Sequence, residues 1–153
     1  MLLCAVILMV IGTATPLNAR ADTDTVTLYV HTQRDMLNAR RKPDKNSPVE
    51  MTLERGEPVE ALRLQDGWVE IIGGEAGTAW CWAAYLAEYP PGEEAPVYTV
   101  ASNGKVRVRQ LPDGKTIRYV RNGDTVPVRF VIGGWAYIGD GYVMAEFLQE
   151  EGS

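Results

Sequence analysis

One histidine and two cysteines, His31, Cys4 and Cys81, are the chain's whole stock of imidazole and thiol. Catalysis of the Cys–His kind needs a thiolate, a base within hydrogen-bond reach and a third group that orients the base. No spacing in the chain brings His31 and Cys81 to one site. A metal centre asks for three or more His, Cys or carboxylate ligands at suitable spacing. The pairs Glu57/Glu60 and Glu93/Glu94 read instead as solvated charges. No Gly-rich phosphate loop or nucleotide fingerprint occurs. The expectation is a protein that binds without being an enzyme and uses no cofactor and no metal. Binding chemistry is then left to rings and guanidinium groups. Trp68, Trp80, Trp82, Tyr85, Trp135, Tyr137 and Tyr142 are the aromatic candidates. Flat rings offer large contact area at little cost in side-chain entropy, which suits a groove for an extended peptide. Arg107 and Arg109 add forks that fit carboxylates.

These residues belong to a sequence that says the same thing twice. Leu28-Tyr29, then Leu37-Asn38-Ala39-Arg40 and Pro43-Asp44, aligns with Val97-Tyr98, Val106-Arg107-Val108-Arg109 and Pro112-Asp113 at a constant offset of 69. In that register His31 faces Val100. After a shortening, Arg55-Gly56-Glu57-Pro58-Val59 faces Asn122-Gly123-Asp124-Thr125-Val126, and Gly67-Trp68-Val69-Glu70-Ile71 faces Gly134-Trp135-Ala136-Tyr137-Ile138. A last contraction sets Ala79-Trp80-Cys81-Trp82 against Gly141-Tyr142-Val143-Met144. An internal repeat fixes architecture before residue chemistry is considered. It also sorts the candidates. Trp68 and Trp135 recur, so they equally suit a structural cover. Trp80 and Tyr142 suit half-burial in the last strand. Trp82 is replaced by Met144, so the fold pattern does not require it, and it is the stronger contact candidate.

Within each copy the hydrophobic period is two. Leu37 and Ala39 alternate with Asn38 and Arg40; Val106 and Val108 alternate with Arg107 and Arg109. Such alternation marks half-buried strands. Asp66-Gly67, Asn122-Gly123, Gly133-Gly134 and Asp140-Gly141 punctuate them with residues that tolerate the positive φ of tight turns. Ala83–Leu86 and its counterpart Ala145–Leu148 are the best places for a helical turn. Many short strands with regular turns predict an all-β small barrel or sandwich.

The ordered motifs Leu37-Asn38-Ala39-Arg40…Pro43, Gly56-x-x-Val59, Gly67-Trp68-Val69-Glu70-Ile71 and Ala79-Trp80-Cys81…Tyr85-Leu86 resemble the bacterial SH3-like domain. The second copy matches through Val106–Arg109, Pro112, Gly123-x-x-Val126, Gly134–Ile138, Gly141-Tyr142-Val143 and Phe147-Leu148. Copy one departs from the pattern in having Ala79 where glycine is usual; copy two has Arg107 where asparagine is usual and Tyr142 in place of tryptophan. The resemblance implies two small SH3-like β-barrels in tandem, at 22–89 and 97–150, joined by a Pro/Glu linker at 90–96. It implies an envelope-associated binding module, which here would recognise peptidoglycan peptides of the cell wall. The alternative is an adaptor or inhibitor that binds an envelope or surface protein.

The ends and the charge bound the partners. Leu2–Ile11 is an apolar run, and a polar stretch leads to Ala19-Arg20-Ala21. That reads as a signal peptide over 1–21, cut before Asp22, and hence a secreted, periplasmic or cell-surface bacterial protein. Contact with a membrane is expected only if that segment stays uncleaved. The formal net charge of −5 argues against nucleic acid as a partner. Residues 22–89 hold 7 basic and 12 acidic side chains, and residues 97–153 hold 7 basic and 6 acidic. The copies therefore differ in charge, which favours unlike partners for the two. Cys81 aligns with Val143, which favours burial over an exposed thiol.

Overall fold

A computed structural model describes residues 25–151. The expected signal segment lies outside the described residues. No helix among them is long and apolar enough to cross a membrane. The chain is all-β, as the alternation requires. The first half contributes β1 (Val26–Val30), β2 (Met36–Arg40), β3 (Val49–Glu54), β4 (Pro58–Gln65), β5 (Trp68–Ile72), β6 (Thr78–Trp82) and β7 (Leu86–Ala87). The second half contributes β8 (Val97–Val100), β9 (Lys105–Arg109), β10 (Thr116–Arg121), β11 (Thr125–Pro127), β12 (Phe130–Ile132), β13 (Trp135–Tyr137), β14 (Tyr142–Met144) and β15 (Leu148–Glu150). The two expected helical turns are single 3-10 turns, Ala83–Tyr85 and Ala145–Phe147.

Strand order in the first half is β3-β2-β6-β5-β4-β1-β7. The second half runs β10-β9-β14-β13-β12 and, separately, β11-β8-β15. Joining β11 to β12 gives the first order again. The break falls at Val128-Arg129, where β4 carries a register shift between Ala61 and Arg63. Single hydrogen bonds recur as well. Gly56 N–H donates to the Val30 carbonyl and Gly123 N–H to that of Val100, both at 2.8 Å. Ala83 donates to Gly67 (2.9 Å) and Ala145 to Gly134 (2.8 Å). The arginine that closes each first motif, Arg40 or Arg109, sends Nη1 to a turn carbonyl, Ser47 at 2.8 Å or Gly114 at 2.7 Å.

These pairings correct the alignment at the first strand. Val59 sits opposite Leu28, and Val126 opposite Tyr98. Leu28 therefore corresponds to Tyr98, Val30 to Val100 and His31 to Ala101, one residue later than a constant offset allows. The first half holds one extra residue between β1 and β2. A one-residue slip turns every side chain to the other face. Burial agrees: Leu28 and Tyr98 are both inside, whereas Val97 is exposed.

Alternation delivers the cores. Leu28, Val30, Leu37, Ala39, Leu53, Val69, Ile71 and Cys81 point inward in the first half. Val100, Val106, Val108, Val120, Ala136, Val143 and Leu148 do so in the second. The first cluster does not stop at its own half: Phe130, Ile132, Tyr137 and Tyr142 belong to it, with Leu111 and Trp135 packed against it. The two halves are docked. The segment 88–96 is bonded to both. Glu88 N–H donates to the Arg129 carbonyl at 2.7 Å, Val128 N–H to that of Pro96 at 2.9 Å, and His31 Nε2 bonds the Tyr89 carbonyl.

Candidate functional site

The tight turn Asp66-Gly67 (φ 49° and 80°) folds β5 back on β4 and starts it at Trp68. Two successive positive φ values suit the twist of a two-residue hairpin. Trp68 then lies directly opposite Trp82 on β6. Their rings meet edge to face, 5.3 Å between centroids and 72° between planes. The 3-10 turn that follows projects Tyr85 beside them. On β2 the outward residues Met36 and Asn38 complete a groove of about 730 Å³. Arg34 and Lys45 stand at its rim with Asp44. Trp82 is 38% exposed and Tyr85 41%. Such a volume suits a ligand of a few residues or a sugar. The cations beside the rings suit a ligand that also carries a carboxylate.

Gly67 is what lets this floor close. A Cβ there would lie 2.8 Å from Leu111 Cδ2 and 2.9 Å from Trp82 Cη2. The 110–114 turn of the second half thus reaches the Gly67 turn beside Trp82, so the docked halves meet at the end of the groove.

The structure brings Trp68, Trp82 and Tyr85 together and sets the other candidates elsewhere. Trp80 lies two residues before Trp82 on the same strand face, in the next cross-strand row. It is 5% exposed, with the Arg63 guanidinium 5.0 Å from its ring centre and Arg63 paired to Glu70 at 2.5 Å. In the second half the same row is Phe130, Tyr137 and Tyr142, with centroids 5.4 and 4.9 Å apart. Tyr137 and Tyr142 are buried at the seam, and burial pushes both phenols above their ordinary range. Trp135 packs on the same cluster. Arg109 is engaged with the Gly114 carbonyl, and Arg107 is exposed on β9. Sequence reasoning missed the seam. The signal was available: Arg63, Gln65 and Glu70, outward in the first half, become Phe130, Ile132 and Tyr137 in the second.

His31 and Cys81 have separate environments. Burial holds the His31 imidazole below its ordinary value, helped by nearby Arg129 and Arg55 and opposed by its bond to Tyr89. Burial raises the Cys81 thiol to about 12.

Comparison with known proteins finds a match over the part of the chain that bears most of this groove. The family model of the bacterial SH3 domain matches residues 35–87. No curated protein matches the chain. Among solved structures, NlpC1 and NlpC2 from Trichomonas vaginalis are similar at 18% and 20% identity, each with a TM-score of 0.36 over 84% of this chain. The chain spans about half the length of both, 47% and 49%. The endolysin LysPBC5 CBD is similar at 13% identity and a TM-score of 0.38, over 84% of this chain and 94% of its own. The family match runs from the end of the β1–β2 loop to β7 and takes in Trp68, Trp82 and Tyr85.

Proposed function

We propose that this protein is a secreted or envelope-associated bacterial binding module, without catalytic chemistry of its own, that holds cell-wall peptide in the Trp68–Trp82–Tyr85 groove. The chain then comprises two SH3-like units in tandem, 22–89 and 97–150, behind a signal segment at 1–21. The observation that carries the reading is the coincidence of two findings. The segment matched to the bacterial SH3 domain is the one with an open aromatic groove, and Trp82 in it is not needed by the fold, since β14 is built with Met144 in its place. Two rings set edge to face with a third beside them grip an extended chain or a sugar face at low entropic cost. The cationic rim accounts for the acidic ends of wall peptides.

Co-sedimentation of the secreted chain with purified sacculi, at low and high salt, tests this. Saturable pelleting that Trp82→Met abolishes supports the groove. Pelleting that survives the substitution but is lost in salt means attachment by charge alone. No pelleting with the host's sacculi overturns the reading. The second reading, an adaptor for an envelope protein, is favoured by the unlike surfaces of the halves: Trp82 and Asn38 in one correspond to Met144 and Arg107 in the other.

A further inference from the structure

The hairpin β9–β10 carries a feature that its counterpart lacks. Tyr119 faces Arg107 across the strands, and Arg121 faces Lys105. Tyr119 is 55% exposed, with Lys105 Nζ 6.0 Å from its ring centre. All four side chains lie on one outward surface. In the first half the same positions are Thr52 opposite Asn38, and Glu54 opposite Met36. One hairpin with the same partners is thus built with three cations and a tyrosine, and again with one anion and none. The fold does not require the cations. Nor are they neutralised nearby: among the described residues no ion pair involves Lys105, Arg107 or Arg121. Asp124, the nearest carboxylate in the chain, accepts the backbone N–H of Arg121 at 2.7 Å.

This surface lies at a free edge. β10 ends its sheet and bonds only to β9. Asp124 closes one end of that edge, its carboxylate accepting the Arg121 N–H and its own N–H donating to the Arg121 carbonyl, and the outward backbone groups of residues 116–120 line the rest. We propose that β10 receives an extended acidic peptide as an added antiparallel strand, with Lys105, Arg107 and Arg121 drawing its carboxylates and Tyr119 covering its backbone. Main-chain bonds to an edge supply affinity and alternate side chains supply selection. Cations on an edge also keep identical copies from pairing, and they do so without hindering an acidic strand. The site is separate from the aromatic groove and does not depend on it.

The test uses the whole chain and a fluorescein-labelled peptide of alternating glutamate and threonine, as long as β10, read by anisotropy at low ionic strength. The expected result is saturable binding that weakens by about tenfold or more in Lys105→Met/Arg107→Asn/Tyr119→Thr/Arg121→Glu, a protein whose urea midpoint verifies that it is folded. On the unaltered protein, a peptide N-methylated at alternate amides binds weakly too, because it cannot complete the ladder. Absence of binding overturns the proposal. So does binding that ignores N-methylation, or inorganic polyphosphate held equally tightly by the same residues, since each means attraction by charge without strand addition.

Discussion

Gly67→Ala tests the claim that the docked second half meets the end of the groove. Gly67 has φ 80°, and an L-residue held in the left-handed region costs about 1–2 kcal/mol. The new methyl would also lie 2.8 Å from Leu111 Cδ2 and 2.9 Å from Trp82 Cη2. Leu111 can turn away, but Trp82 is confined by Trp68, and crowding of this kind costs about 1–3 kcal/mol. Gly77→Ala is the internal control. Its φ is 86°, and nothing lies within 4 Å of the added carbon. It should show the backbone penalty alone. With a urea slope of about 2 kcal/mol/M, the two midpoints should then differ by about 0.5–1.5 M. Gly67→Ala should also shift tryptophan emission and weaken sedimentation with sacculi, while Gly77→Ala should do neither. Leu111→Ala combined with Gly67→Ala should cost less than the sum of the single changes. Equal midpoints for the two glycine variants would refute the contact between halves that the argument needs.

Phe130→Ala removes a fully buried ring at the seam and should cost about 3–5 kcal/mol; tryptophan emission and far-UV dichroism should still report one shared transition. Arg40→Ala and Arg109→Ala each delete a charged bond to a turn carbonyl and should each cost about 1–2 kcal/mol in thermal or urea unfolding. His31 binds a proton less readily in the fold than in the unfolded chain, because burial lowers its value from 6.5. Its contribution is therefore complete above pH 6.5 and drains away as pH falls through that value toward the lowered one; urea midpoints taken across this range should lose that component in His31→Gln. Cys81 is inaccessible and its thiol is raised to about 12. A thiol-reactive probe should label it only at the rate of unfolding; prompt labelling of native protein would contradict the packing.

The sequence was informative wherever one residue type had one job. Alternation along 37–40 and 106–109 gave strands, and the Gly-Trp starts gave β5 and β13, because a half-buried strand shows its inside and outside directly. The β1–β8 register was not legible. Leu28-Tyr29 and Val97-Tyr98 match equally well in composition, and only pairing with Val59 and Val126 reveals the extra residue in the β1–β2 loop. The aromatic candidates divided for a related reason. A tryptophan or tyrosine on an outward face reads alike whether solvent, a ligand or another sheet lies above it. Trp82 remained open, Trp80 was roofed by Arg63, and Tyr137 and Tyr142 were covered by the docked halves. Only comparing the copies column by column, Arg63 with Phe130 and Glu70 with Tyr137, separates those cases.

That apolar row makes the two halves unequal in autonomy. The first half carries Arg63 and Glu70 at the corresponding positions, and Arg63 already meets water in the docked chain. The second half, cut at the connector, would bare Phe130, Ile132, Tyr137 and Tyr142 as one patch, the kind of surface that drives insolubility. The second half thus depends on the first to cover this row. Grafting or swapping modules from this chain should therefore succeed with the N-terminal piece or with the pair, and the C-terminal piece should need its seam residues reverted to the polar set of its neighbour.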